Sequence, residues 1–253
     1  MSIKRKSHIS LKGSPLFGSR VAFVRHFLEG KKVSLLDVGN LGDGGPYTNY
    51  LREFVESEGG SYTGLDVNEN LAKDLGYERQ VTGDLHDLRG VVKDGSFDCI
   101  YAGEIIEHSW HPGTMIRECA RILKDGGFLL LDTPNVYDLG EVARVYLKGR
   151  NTLGDVPDLT YAETVDNFSK ARKEEGALYT QPQHKIFYGP ASLRQLLNMH
   201  GFAVEEVAYI DKSRSFLQRM FVRLFPQSAQ KIGVLARKKS VEDVFNGPQF
   251  GDV

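Results

Sequence analysis

Short apolar runs alternate with helical patterns along most of the chain, and few folds accommodate that order. VSLLDV (33–38), SYTGLDV (61–67), ERQVTGD (78–84), FDCIYAG (97–103) and FLLLDTPN (128–135) have the length and flanking turn residues of strands. PYTNYLREFVESEG (46–59) starts with proline, NENLAKDLG (68–76) follows the second run, and PGTMIRECARILKDGG (112–127) ends on glycines; all three are spaced as helices. A helix and strand in GPASLRQLLNMHGFAVEEVAYI (189–210), a helix in SFLQRMFVRLFP (215–226) and a strand in QKIGVLARK (230–238) complete the series. Strands this apolar fit a sheet covered on both faces. The expected fold is therefore α/β, doubly wound, with a mostly parallel seven-stranded sheet.

No internal repeat or linker separates two cores. Residues 1–30 are expected to be a polar lead-in (1–17) followed by a helix at about 18–29 with Val21, Val24, Phe27 and Leu28 at helical spacing. Residues 31–238 form the domain, and 239–253 a polar tail. An insertion at about 136–186 has little hydrophobic periodicity and carries Tyr137, Tyr146, Tyr161, Phe168 and Tyr179; loops of that length usually serve a function, so it is read as a substrate lid.

Charge limits the partners. Lys and Arg number 32 against 33 Asp and Glu, and that balance argues against a chain whose main task is gripping nucleic acid. Cys99 and Cys119 form no C-x-x-C pair and are expected to be free, buried thiols in a reducing compartment. The basic start MSIKRKSHIS lacks the apolar segment of a secretory signal, and the expected location is the cytoplasm.

The segment DVGNLGDGG follows the first strand and leads into a helix. In such sheets ligands bind beyond the carboxyl ends of the strands; glycines there let the chain's backbone approach the ligand, and the helix N-terminus offers unpaired N–H groups to an anion. Asp66, closing the second strand, is placed to accept hydrogen bonds from a ribose diol. A nicotinamide dinucleotide competes for this pattern. Asp37 would repel its pyrophosphate, however, and no Tyr-x-x-x-Lys pair is present for hydride chemistry. A ligand with a ribose, an amino-acid end and a sulfonium fits all of these constraints, and that ligand is S-adenosylmethionine.

With those residues in view, the chain resembles the class I S-adenosylmethionine-dependent methyltransferases, in the type 11 group that includes the ubiquinone-biosynthesis O-methyltransferases. LLDVGNLGDGG resembles the first motif, GLDV the second and GDLHDL the third. FDCIYAGEIIEHSWHPGTMIRECARILKDGGFLLLDTPN resembles the long block that follows, and HKIFYGPASLRQLLNMHGFAVEEV a late segment. The resemblance covers about 33–210. It implies that Gly39 approaches the methionine part, that Asp66 holds the ribose and that Asp84, with the Leu85 backbone, holds the adenine. Asp37, Asn40, Gly42, Val67 and Glu104 complete the expected cofactor set. One departure stands out: the family loop reads D-x-G-x-G-x-G, whereas Leu41 stands at the second glycine here.

Glu104, Glu107 and His108 form E-x-x-E-H at the end of the fourth strand. A helical turn there would set Glu104 beside Glu107 and His108. Two carboxylates and an imidazole suit Mg²⁺ or Mn²⁺. The resemblance implies a metal at the same pattern, with His184 mirroring a later histidine ligand of small-RNA 2′-O-methyltransferases. A catalytic or positioning role without metal, and a plain structural role, remain open. Glu107, His108 and His111 are the candidate proton acceptors. Trp110 beside them is open to cofactor, substrate or simple loop packing.

The expected activity is methyl transfer to a hydroxyl, or an amine, of a small-molecule or glycan-type acceptor. The alternatives are an RNA 2′-O-methyltransferase and a non-catalytic protein that binds the cofactor to support a partner. The helix SFLQRMFVRLF interleaves arginines with apolar residues, a pattern open to membrane-surface contact and to ordinary packing, with packing the more frequent outcome.

Overall fold

The computed structural model describes residues 7–9, 13–40, 46–67, 79–148, 184, 186–213 and 215–240. In chain order these residues form β1 (Ser7–Ile9), β2 (Pro15–Phe17), α1 (Arg20–Leu28), β3 (Ser34–Val38), α2 (Pro46–Ser57), β4 (Ser61–Asp66) and β5 (Gln80–Thr82). There follow β6 (Phe97–Gly103), a 3₁₀ turn (Ile106–His108), α3 (Pro112–Ile122), β7 (Leu123–Pro134) and α4 (Leu139–Lys148). Last come α5 (Pro190–Met199), β8 (Phe202–Ile210), α6 (Phe216–Leu224), a second 3₁₀ turn (Pro226–Ser228) and β9 (Lys231–Lys238). The expected helix at 68–76 lies outside the described residues.

All the strands join one sheet in the order β1-β2-β8-β9-β7-β6-β3-β4-β5. From β7 through β5 the pairings are parallel, while β9 is antiparallel to both β7 and β8. The winding departs from β3 in both directions, so the carboxyl ends of β3 and β6 flank a switch point. The seven expected strands are all present. Nine are observed because residues 1–17 are not merely a lead-in: β2 pairs parallel with β8 and β1 folds back on it. Phe17 is the reason. Its ring is buried and meets Phe23 and Phe27 of α1 edge-on, at 5.8 and 6.4 Å between centroids.

Alternation along the central strands explains the two covered faces. Leu35, Cys99, Tyr101, Phe128 and Leu130 face α1 and α2, where Phe23, Val24, Leu51 and Phe54 meet them. Leu36, Ile100, Ala102, Leu129 and Leu131 face the other way, onto Met115, Ile116 and Cys119 of α3 and Leu193 and Leu197 of α5. Both cysteines are buried and free, and burial pushes both thiols up.

α3 ends earlier than its glycines suggest. Leu123 already pairs with Phe97, and the register then jumps so that Cys99 lies opposite Phe128. Gly126, at φ +72°, turns the chain inside β7 rather than stopping the helix. No helix among the described residues is long and apolar enough to cross a membrane. Of the insertion, residues 136–148, 184 and 186 are described, and backbone hydrogen bonds at Val136 and Ile186 tie it to the body. The Val136 amide donates to the Tyr188 carbonyl at 3.1 Å, and the Ile186 amide to the Glu107 carbonyl at 3.2 Å.

Candidate active site

A cavity of about 320 Å³ opens at the carboxyl edge, between the ends of β3 and β6 and the start of α1. Asp37, Gly39 and Asn40 form its floor, and Glu104, His108 and His184 stand at its mouth.

The floor is shaped by its glycine. Gly39 has φ +67°, and a Cβ there would stand 2.1 Å from Ile105 Cδ1. Only glycine combines this backbone with this clearance. Its amide donates to the Leu65 carbonyl at 2.7 Å, fastening the loop to β4. Asn40 is buried and exchanges two 3.0 Å hydrogen bonds with Gln80, so its amide is spent on holding the loop to β5. Thr48 of α2 donates its hydroxyl to the Asn40 carbonyl. The Asp37 carboxylate, also buried, accepts the Tyr62 hydroxyl at 2.7 Å. Gly42 and Leu41 lie outside the described residues.

One wall is a polar network that the sequence reading did not anticipate. Asp132, fully buried near the end of β7, accepts from the Tyr101 hydroxyl at 2.5 Å and has Arg20 Nε at 3.0 Å from its other oxygen. Burial pushes the Asp132 carboxyl up, against the pull of Arg20 and Tyr101. The Arg20 guanidinium also lies 4.8 Å from the centre of the Tyr47 ring, and its NH1 is 3.6 Å from the Glu104 carboxylate. Lys231, at the start of β9, forms an ion pair with Glu104. Burial and Arg20 push the Lys231 ammonium down from its ordinary value, while the touching carboxylate opposes that shift. Glu104 itself has φ +56°, the only positive value outside glycine among the described residues. Such backbone costs about 1–3 kcal/mol and concentrates at functional sites.

That backbone corrects the expected E-x-x-E-H geometry. Glu104 precedes the 3₁₀ turn instead of sharing a helical face with Glu107 and His108, and its carboxylate is engaged by Lys231 and Arg20. Glu107 turns inward. Its Oε2 accepts from the Thr133 hydroxyl at 2.9 Å, whereas Oε1 is buried with no hydrogen-bond partner among the described residues. Burial pushes its carboxyl up to about 7, with Asp132 adding to the rise. His108 and His184 face each other with ring centres 4.8 Å apart. Ligand atoms of Glu107, His108 and His184 all lie within 4.8 Å of one another. Three of the four expected metal ligands therefore converge, and Glu104 is not among them.

The remaining expected residues do not line the cavity. Asp66 ends β4, Val67 beyond it is exposed, and Leu85 is buried in the core. Asp84 is exposed on the same edge after β5. Its Oδ1 accepts from the His86 amide at 2.9 Å and lies 2.6 Å from the ring Nδ1, contacts that hold its carboxyl below the usual range. His86 Nε2 in turn lies 2.6 Å from Ser109 Oγ, linking this loop to the end of the 3₁₀ turn. His111 stands exposed at the start of α3, and Trp110 is likewise exposed. Among the residues missed, Asp132 had a signal, an acid at the end of the most apolar strand. Arg20, Tyr47 and Lys231 had none.

Residues 36–131 match a family described as a methyltransferase domain. A ubiquinone biosynthesis O-methyltransferase of Coxiella burnetii is 36% identical over 114 residues, 43% of this chain and 45% of that enzyme. The chain thus spans about half the length of the curated relatives it matches. Among solved structures, a SAM-dependent methyltransferase from Archaeoglobus fulgidus matches with TM-score 0.54 at 17% identity, covering 86% of this chain and 92% of that one. The 1,6-didemethyltoxoflavin-N1-methyltransferase of Burkholderia thailandensis matches with TM-score 0.52 at 16% identity, covering 87% and 76%. Sheet order and a cavity at the switch point agree with the Rossmann-like fold of these structures, and within that fold residues 36–131 are similar to a methyltransferase domain.

Proposed function

We propose that the protein transfers a methyl group from S-adenosylmethionine to a hydroxyl of a small-molecule or glycan-type acceptor. Gly39, Asp37 and Glu104 would hold the amino-acid end of the cofactor, with Asp66 at the ribose and Asp84 at the adenine. The fit rests on the cavity at the end of β3, where Gly39 leaves the backbone bare, and on lining carboxylates that suit a cationic ligand. When bound, the cofactor supplies a methyl group on a positively charged sulfur, whose C–S bond breaks as the acceptor C–O bond forms.

The chain's own task is to orient the acceptor and take its proton. The observation that carries this reading is Glu107: a buried carboxylate with one unpartnered oxygen, pushed up to about 7, behind His108. His108 lines the cavity in front of it, so the carboxylate would take a hydroxyl proton near neutral pH by way of that imidazole. A divalent cation held by Glu107, His108 and His184 is the second reading, favoured by the convergence of their ligand atoms within 4.8 Å. Ligands on opposite sides of an ion at about 2.1 Å stand roughly 4.2 Å apart, so the group has to draw in slightly.

Calorimetric titration with S-adenosylhomocysteine, first in EDTA and then in Mg²⁺, tests both. Micromolar binding in EDTA is expected, and an added metal-dependent heat would support the second reading. Glu107→Gln should lower turnover about 100-fold on a hydroxyl acceptor with S-adenosylhomocysteine affinity within about twofold. Equal losses in both would remove Glu107 from the proton-transfer role, and absence of cofactor binding would remove the proposal.

A further inference from the structure

We propose that α6 is a docking helix for an anionic membrane surface. The other packed helices bury a stripe: α1 covers Phe23, Val24, Phe27 and Leu28, and α3 covers Met115, Ile116, Cys119 and Ile122. α6 buries Val222 alone, which meets Leu16, Tyr209 and Ala229 at the sheet edge. Its larger side chains face outward. Phe216 is 67% exposed and Leu217 76%, and Met220, Phe221 and Leu224 are exposed with them.

At about 100° per residue those five positions make one stripe roughly 140° wide, with Val222 on the opposite side. Arg223 and Arg219 fall along one border of the stripe, and α6 has no acidic residue. Among the described residues neither arginine is in an ion pair, although both lie within a helix that offers no carboxylate of its own. An apolar face bordered by arginines complements a surface with a hydrocarbon interior and anionic headgroups. Apolar area supplies the burial and the arginines the attraction. Contiguous exposed apolar faces are rare in folded chains and mark sites of interaction with membranes or other partners.

Position strengthens the assignment. α6 connects the carboxyl end of β8 to the start of β9, the edge at which Lys231 meets Glu104. The start of α4 lies against it, with Gln218 Nε2 3.8 Å from where a Cβ on Gly140 would stand. Docking through α6 would therefore bring the cavity edge, not the amino edge of the sheet, toward the bilayer.

The test is co-sedimentation of the full chain with phosphatidylcholine vesicles, with and without one-third phosphatidylglycerol, at low and high salt. The wild type should pellet with the anionic vesicles and about tenfold less with the neutral ones, and high salt should weaken the binding. Leu217→Glu and Phe221→Glu should each lower the bound fraction about tenfold. Arg219→Gln combined with Arg223→Gln should remove most of the preference for phosphatidylglycerol. All four positions are at the surface, so far-UV circular dichroism and melting should match the wild type. Binding that survives Leu217→Glu and Phe221→Glu would place the contact elsewhere and overturn the proposal. So would a wild type that stays in the supernatant. In that case light scattering identifies the true occupant: a dimer split by Leu217→Glu means a second copy, and a monomer means that the chain covers its own helix.

Discussion

A methyl group on Gly39 meets two separate objections. The left-handed backbone disfavours any L side chain by about 1–2 kcal/mol, and the added carbon would stand 2.1 Å from Ile105 Cδ1. Ile105 begins the segment that carries Glu107 and His108, so the intruding carbon pushes on the cavity mouth as well as its floor. Gly39→Ala is therefore expected to weaken S-adenosylhomocysteine binding at least about tenfold, by calorimetry, and to lower stability by about 2 kcal/mol in urea unfolding. Undiminished affinity would mean that the loop is not the cofactor's seat. Gly39 was legible in the sequence because a turn after an apolar strand is a local feature. Arg20 was not: its partners Tyr101 and Asp132 lie 81 and 112 residues away, and no spacing rule joins them. Glu104 was legible as a functional acid but not as a residue outside the helical turn, because a positive φ at glutamate runs against every local preference.

Elements meet through a few charged contacts, and Glu118 is the clearest. From α3 its carboxylate accepts the Leu88 amide at 2.7 Å and a fork of bonds from Arg121, at 3.0 and 2.6 Å. It thereby fixes the loop that carries Asp84 and His86 against α3. The Arg121 fork, and after it the Leu88 amide, hold the Glu118 carboxyl below its ordinary value despite burial. A folded-state value below the unfolded one means stability that is complete above the unfolded pKa, about 4.3, and lost as pH falls through the folded value. Glu118→Ala should cost about 2–3 kcal/mol at pH 7, and its gap from the wild type should close below about pH 4 in urea unfolding. A gap independent of pH would show that packing, not charge, makes the contact. Helices with strong periodicity, α3 and α5 among them, were legible at this scale. The end of α3 was not, because pairing of Leu123 with Phe97 overrides the glycine stop downstream.

At the scale of the molecule, strands from early and late in the sequence meet on one side of the sheet. β2 pairs with β8, so residues 15–17 complete an edge formed by residues beyond 200. Alternation of strands and helices was enough to read the central sheet, since β3 and β6 are each followed by a helix that covers one face. It could not reveal β1 and β2, three residues each, because no helical pattern alternates with them as it does around the equally short β5, and PLF reads the same in a loop. Beside its pairings with β1 and β8, a buried ring holds β2 in place. Phe17 is 1% exposed, meets the rings of Phe23, Phe27 and His26, and lies in the core cluster that also contains Tyr101, the partner of Asp132. Phe17→Ala should lower stability by about 3–5 kcal/mol, the range for emptying a buried aromatic site. Because α1 carries both Phe23 and Arg20, the damage should reach the cavity: S-adenosylhomocysteine affinity should fall several-fold even though Phe17 does not line it. Phe17→Leu, which keeps most of the volume, should restore both to within about threefold and 1.5 kcal/mol. If Phe17→Ala unfolds more easily but binds the ligand as well as the wild type, then α1 is held at the site by Arg20 and Asp132 alone, and the edge strands stabilise the fold without positioning the cofactor.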